Sequence, residues 1–397
     1  MKPIALWLSL GAAAAAAQID PSPLEYGGMR GRVLGHVSEE VARNGEGSTI
    51  RLKDGALYHL MSRHLRPSPE EIKKQRNHDL WPAVIARTIS RDGGLTWSEP
   101  ETVFRSNTGP NAMQPSLARL ANGEIGVSYS KINGPMSATK VFRYSADEGQ
   151  TWSEEILISP EGAYWTSAHD RMITLSTGRV LLTLHNKESL KPERMVTQVA
   201  YSDDHGRTWK LSPNRIVVED MLPAHRAKYG ARSGFWEASI AERADGSLFM
   251  IGRTYAGRLY ASTSNDKGVT WSKPSPTSLP SGAAPGRIER IPGSSDLLVV
   301  WNSCCIEPGH PMVGRRLTLA AAISTDGGKT WKWERSIEEV TPGAMVDYPA
   351  VNIWDQKVYI TYRAWAPLLG DKLRLQEYLS ILPLEWFYAK KDHQTLN

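Results

Sequence analysis

The chain has 397 residues, 47 lysines and arginines against 42 aspartates and glutamates, and a net charge of +5. With 41% hydrophobic and 22% charged residues it has the balance of a folded globular protein, which excludes a disordered chain, and its glycines and prolines follow no collagen period. So mild a charge without a dense Lys/Arg run argues against nucleic acid, two cysteines cannot staple a scaffold of this size, and beyond the N-terminus no apolar run reaches the roughly 18–20 residues of a membrane span.

Met1-Lys2 is followed by an apolar stretch from Ile4 to Leu10 and small residues from Ala12 to Ala17. Ala15-x-Ala17 has the small-residue spacing of a signal-peptidase site, so residues 1–17 read as a secretory signal peptide and the protein as secreted or periplasmic. Residues 18–397 are expected to form one domain. Near its start, Asn44-Gly-Glu46-Gly sets an acid between glycines at the entrance to the first hairpin, with Arg51 and Arg63 close by. A charged stretch from Pro69 to Arg76 gives almost the only helical pattern, and Asn77-His78-Asp79 follows it.

From there an octet, Ser-x-Asp-x-Gly-x-Thr-Trp, recurs five times, at Asp92, Asp147, Asp204, Asp266 and Asp326. The intervals between these aspartates are 55, 57, 62 and 60 residues. Asp can accept backbone N–H groups inside a tight turn, and Gly two residues on can take positive φ. Thr and Trp then re-enter a strand, with Trp as an anchor. The octet is therefore a structural turn and its Asp is not catalytic. A second series of turns runs out of phase with it: Lys53-Asp-Gly55, Ala121-Asn-Gly123, Ser176-Thr-Gly178, Ala244-Asp-Gly246, Gly293-Ser-Ser295 and Trp354-Asp-Gln356. Each leads into a short apolar strand such as Arg179-Val-Leu-Leu-Thr. Six hairpins on a 50–60-residue period in an all-β chain predict a six-bladed β-propeller of about four strands per blade.

The inner strands of a propeller line its central channel, so polar residues at their starts are candidate ligand contacts. In chain order these are Gln114 before Pro115, the triplet His169-Asp170-Arg171, and Arg287. An acid such as Glu237 at a strand start is not buried without a partner. Trp165, Trp236, Trp301 and Trp365 lie outside the octets and offer flat faces on which a ligand could stack. Cys304 and Cys305 are adjacent, too close for an unstrained disulfide, and read as two thiols. No HExxH or HxxxH spacing suggests a metal, and no nucleophile elbow suggests a Ser hydrolase.

The octets are Asp-box (BNR) repeats, and from about Asn44 to Arg363 the chain resembles the sialidase superfamily of six-bladed propellers. The resemblance implies retaining release of a terminal sialic acid from a glycan, with no metal or organic cofactor. It assigns Tyr348 as nucleophile, Glu237 as its base and Asp79 as acid/base. It assigns Arg253, in Met250-Ile-Gly-Arg, and one of the pair Arg315-Arg316, with Arg315 favoured, to the substrate carboxylate. A neutral Tyr suits an anomeric carbon that carries its own carboxylate, since an anionic nucleophile would be repelled. A phenol is unreactive at its ordinary pKa near 10, so it needs the base. The departure lies in the first blade: where the family usually has an arginine in Tyr-Arg-Ile-Pro, Glu46 stands, and Arg51 or Arg63 would have to substitute. Glu46 and His169 leave open an alternative, a glycosidase or lyase for a uronic acid or neutral sugar. A non-catalytic glycan-binding propeller is the other alternative.

Overall fold

The computed structural model describes residues 31–75, 77–223, 229–305, 314–340, 343–365 and 375–389, together with Arg226 and His310. The expected signal peptide, residues 1–17, lies outside them. The protein is an all-β propeller. Among the described residues its strands form five hydrogen-bonded sheets, one of them eight-stranded. That sheet holds two successive four-strand units, Val41–Arg51 to Glu101–Phe104 and Asn111–Arg119 to Ile156–Leu157, joined by a single parallel bridge from Ala83 to Asn111. The third unit is built on Val180–Leu190 and Glu193–Ser202, and its innermost strand is split into Trp165–Thr166 and Met172–Thr174. Trp236–Glu242 opens the fourth unit, Arg287–Arg290 the fifth and Met345–Trp354 the sixth.

The ring is closed by the chain's own early residues. Arg32–Gly35 pairs antiparallel with Gln376–Pro383 as the outer strand of the sixth unit, and the Asn44 N–H donates to Leu375 O at 2.8 Å. The core is distributed between neighbouring blades. Phe249 and Ile251 of the fourth pack on Val299 and Trp301 of the fifth, for example, all buried.

Each octet folds as its composition dictates. In all five, Ser Oγ–H donates to Asp Oδ1 at 2.8 Å. The Thr N–H donates to the same oxygen at 2.8–2.9 Å, and the Gly amide donates back to Ser Oγ at 2.7–2.9 Å. That glycine has φ between +82° and +95° in every copy. Trp97 and Trp271 are buried, and Trp152, Trp209 and Trp331 pack half-buried against the inter-blade clusters. The predicted helix is Pro69–Lys74, started by a reciprocal Ser68–Glu71 capping box.

One feature carries no sequence signal. Glu46, Gln114, Asp170, Glu237 and Tyr348 all have φ between +50° and +61°. They occupy the same place, at or just before the innermost strand of five blades. In four of them the pairing register slips there: Gly45/Ser48, Met113/Ser116, Trp236/Ser239 and Asp347/Ala350. A bulge of this kind turns a side chain out of the pleat. A non-glycine residue in the left-handed region costs on the order of 1–2 kcal/mol, so the surrounding ring must hold it. Serines two residues on do part of this: Ser48 Oγ accepts the Leu117 amide at 3.1 Å, and Ser239 Oγ the Ile288 amide at 3.1 Å, each in the next blade.

Candidate active site

Four of the five residues, Glu46, Gln114, Glu237 and Tyr348, line a cavity of about 480 Å³ at one mouth of the channel. Asp79, Trp236, Arg253 and Arg316 line it too, with Arg43 and Arg363. The Tyr348 hydroxyl donates to Glu237 Oε1 at 2.6 Å. Arg253 donates to Glu237 Oε2 at 2.6 Å and to the Tyr348 oxygen at 3.2 Å. Phenol, carboxylate and guanidinium thus close one triangle, although 95 and 111 residues separate Tyr348 from the other two. Trp236 lies under the Arg253 guanidinium, 4.6 Å from ring centre to Cζ.

Electrostatics divides the roles within the triangle. Burial pushes the Glu237 carboxyl up, but the charge and hydrogen bond of Arg253 and the Tyr348 hydrogen bond together outweigh it, and the group stays below the usual range. Burial and the Glu237 charge together push the Tyr348 phenol well above its ordinary value. At neutral pH a protonated phenol therefore donates to an ionised acid, with a guanidinium placed to stabilise phenolate charge.

Asp79 also lines the cavity, and its Oδ1 accepts from Arg43 at 2.8 Å. Its side chain keeps 53% of its exposure, against 6% for Glu237, so it is an acid of the site that solvent reaches. Withdrawal from water pushes its carboxyl up, but the charge and hydrogen bond of Arg43 hold it well below the usual range. His185, beside Thr166 at 2.7 Å, is held neutral by burial, its pKa lowered to about 4.

Several sequence expectations need correction. The arginine that lines the cavity is Arg316, which donates to Asp347 Oδ2 at 2.6 Å and to Ala283 O at 2.9 Å; Arg315 is exposed. The two are neighbours, and only one can face inward. Neither Arg51 nor Arg63 serves the first blade. Arg51 pairs with Asp355 on the surface, and Arg63 stands on Leu57–Leu65 away from the cavity lining. Arg43, three residues before Glu46, reaches the cavity instead. His169, Asp170, Arg171 and Arg287 lie beneath the cavity, not in its lining, because the strand starts converge there and their side chains fill the axis. Asp170 accepts from Arg287 Nε at 2.8 Å and from Ser48 Oγ at 2.9 Å. Arg171, fully buried, donates to the carbonyls of Glu237, His169, Asp170 and Gly286. His169 Nε2 donates to Tyr348 O at 3.1 Å, and its ring stacks on Tyr348. Of the four candidate tryptophans only Trp236 lines the cavity; Trp165 and Trp301 are core residues.

Sequence reasoning missed Arg43, Arg363 and Asp347. Arg363 lies opposite Asp347 in strand register and donates to both its oxygens, at 2.8 and 3.1 Å. It also donates to Glu46 Oε1 at 2.8 Å and lies 4.2 Å over the Tyr348 ring. Their signal was there in principle, as charged residues on strands that run into the channel.

Residues 75–360 match the family described as BNR repeat-like domain. The chain belongs to that family, within the sialidase superfamily. It is 33% identical over 269 residues to an anhydrosialidase of the leech Macrobdella decora, a match that spans 60% of this chain and 31% of that one. In fold it is similar to a protein of unknown function from Dyadobacter fermentans, with a TM-score of 0.69 and 18% identity over 89% of this chain and 98% of that one. It is also similar to the intramolecular trans-sialidase of Ruminococcus gnavus, with a TM-score of 0.67 and 14% identity over 93% and 100% of the two chains. At these identities the two structures speak for the fold alone.

Proposed function

We propose that the protein is a sialidase-type retaining glycosidase that releases a terminal acidic sugar from exported or extracellular glycans. The observation that carries this reading is the 2.6 Å hydrogen bond from the buried Tyr348 phenol to Glu237, with Arg253 on both groups. In the first step Tyr348 Oη attacks the anomeric carbon and its proton passes to Glu237, while Asp79 gives a proton to the departing glycosidic oxygen. In the second, Asp79 takes a proton from water, the water oxygen displaces Tyr348, and the phenol recovers its proton from Glu237. Arg43, Arg253 and Arg316 surround the space for the acidic group. Asp79 is ionised while Arg43 holds it. Solvent reaches Asp79, so it can draw from water the proton that it passes to a glycosidic oxygen once a substrate has bound.

Turnover of a fluorogenic sialoside tests the reading. Wild type should release sialic acid, Tyr348→Phe should lose on the order of 10³-fold or more in kcat with binding retained, and Arg253→Ala should lose both. Absence of sialic acid release above background by wild type overturns it. Glu46 in the cavity favours a second reading, a uronic acid or neutral sugar as substrate. Turnover of such a glycoside with none of the sialoside selects it.

A further inference from the structure

Each guanidinium around the cavity is already held by an acid of the chain. Arg253 has Glu237, Arg316 has Asp347, Arg363 has Asp347 and Glu46, and Arg43 has Asp79 and Glu46. The acids are not equally secured. Both oxygens of Glu237 and of Asp347 accept hydrogen bonds. Glu46 is different: Arg43 and Arg363 share its Oε1, and its Oε2 is buried without a partner. Nor can Glu46 swing away. It is 2% exposed, in a left-handed bulge between Gly45 and Gly47. The Gly47 N–H is fixed by Glu377 at 2.9 Å, and a Cβ on Gly47 would lie 2.4 Å from the His59 ring.

An acidic sugar entering this cavity brings a second carboxylate to guanidiniums that Glu46 already neutralises. Like charges so placed cannot both stay ionised cheaply, and the worse-solvated one gives way. We propose, resting on the sialidase-type reading above, that Glu46 is a specificity-determining acid that takes a proton from solvent as an acidic sugar binds, so that Arg43 and Arg363 pass from the protein's carboxylate to the ligand's. The other charged and titratable groups facing Glu46 are Asp79 from the loop before the first octet, Lys140 from the second blade, Tyr164 just before the third, Glu237 from the fourth, and Tyr348 from the sixth. Burial already pushes the Glu46 carboxyl up against the opposing pull of Arg43 and Arg363, and holds Lys140 down to about 7. Of these groups Asp79 is the rival acceptor, since it too loses Arg43 when a ligand takes that arginine.

Titration calorimetry with free N-acetylneuraminic acid, in phosphate and in Tris from pH 5 to 9, reads the proton directly. Wild type should take up about one proton per ligand at the upper end of that range, with Kd rising about tenfold per pH unit there. Glu46→Gln should bind with no buffer-dependent heat and at least about tenfold more tightly than wild type at pH 8, and Asp79→Asn should keep the uptake. Binding by wild type without buffer-dependent heat at any pH overturns the proposal. So does uptake that survives in Glu46→Gln or disappears in Asp79→Asn, and the latter decides the matter if Glu46→Gln does not fold. No binding by any of the three proteins overturns the sialidase-type reading and this inference with it. Turnover of the sialoside without proton uptake overturns this inference alone.

Discussion

At the scale of single residues, the site depends on which of two neighbours faces inward. Arg316 is tied to Asp347, which is fully buried, so Arg316→Ala removes a cavity cation and leaves Asp347 with Arg363 alone. We expect a fall in kcat/KM of about 10²-fold or more, the scale of a lost charge-assisted hydrogen bond in a dry site, while Arg315→Ala, at an exposed position, leaves the kinetics unchanged. Steady-state assays of the two variants side by side check this. Glu237 sets the acid limb. Its carboxyl lies below the ordinary 4.5 in the folded protein, so it is ionised above that value. Its contribution to stability is full there and is lost as pH falls through the lowered value. As the proposed base it therefore stays competent at mildly acid pH, and a pH profile of kcat/KM should show no loss assignable to Glu237 until pH drops below about 4.5. The proposed protonation of Glu46 acts on the other limb, as an alkaline fall in kcat/KM that Glu46→Gln relieves.

At the scale of elements, the octets were wholly legible and the inner-strand bulges were not. A turn that needs positive φ announces itself with glycine, as at Gly94 and Gly206. The bulges place Glu46, Gln114, Asp170, Glu237 and Tyr348 in the same backbone region without one, because tertiary bonds from the ring hold them there. The resemblance, carried over residue by residue, and the order of the blades were enough to name Tyr348, Glu237, Arg253 and Asp79, which line one cavity. They were not enough to tell Arg316 from Arg315, or to find Arg43, which stands at a separate register slip, between Val41 and Arg43, that no residue type announces. His169, Asp170 and Arg171 looked like ligand contacts because polar strand starts line the channel; the channel narrows, and they plug it. Gly206→Ala tests the turn logic. The glycine has φ +85°, and a Cβ there would sit 2.2 Å from the Phe142 ring. The variant should lose about 2 kcal/mol or more of stability, read by denaturant melts, with the cavity's hydrogen bonds untouched.

At the scale of the whole molecule, the ring is a closed circuit with a seam in its last blade. Arg32–Gly35 supplies an outer strand there, buries Val33 and Leu34, and pairs along Gln376–Pro383. Deleting residues up to Gly35 strips those side chains and bares an edge strand. The burial of two such residues contributes about 3–5 kcal/mol, so the truncated protein should melt markedly earlier and tend to associate through the bared edge, as calorimetry and light scattering would show. The Asp boxes, whose aspartates accept only from their own turns, leave the chemistry to the opposite task of the inner strands.

The bulge that recurs at the head of five inner strands separates what the barrel needs from what the pocket presents. Because that one position in each blade is lifted out of the ladder, its side chain can be acid, amide or phenol without disturbing the pairing on either side. A descendant of this scaffold could exchange its reagents like keys in a lock while the sheets around them stay as they are.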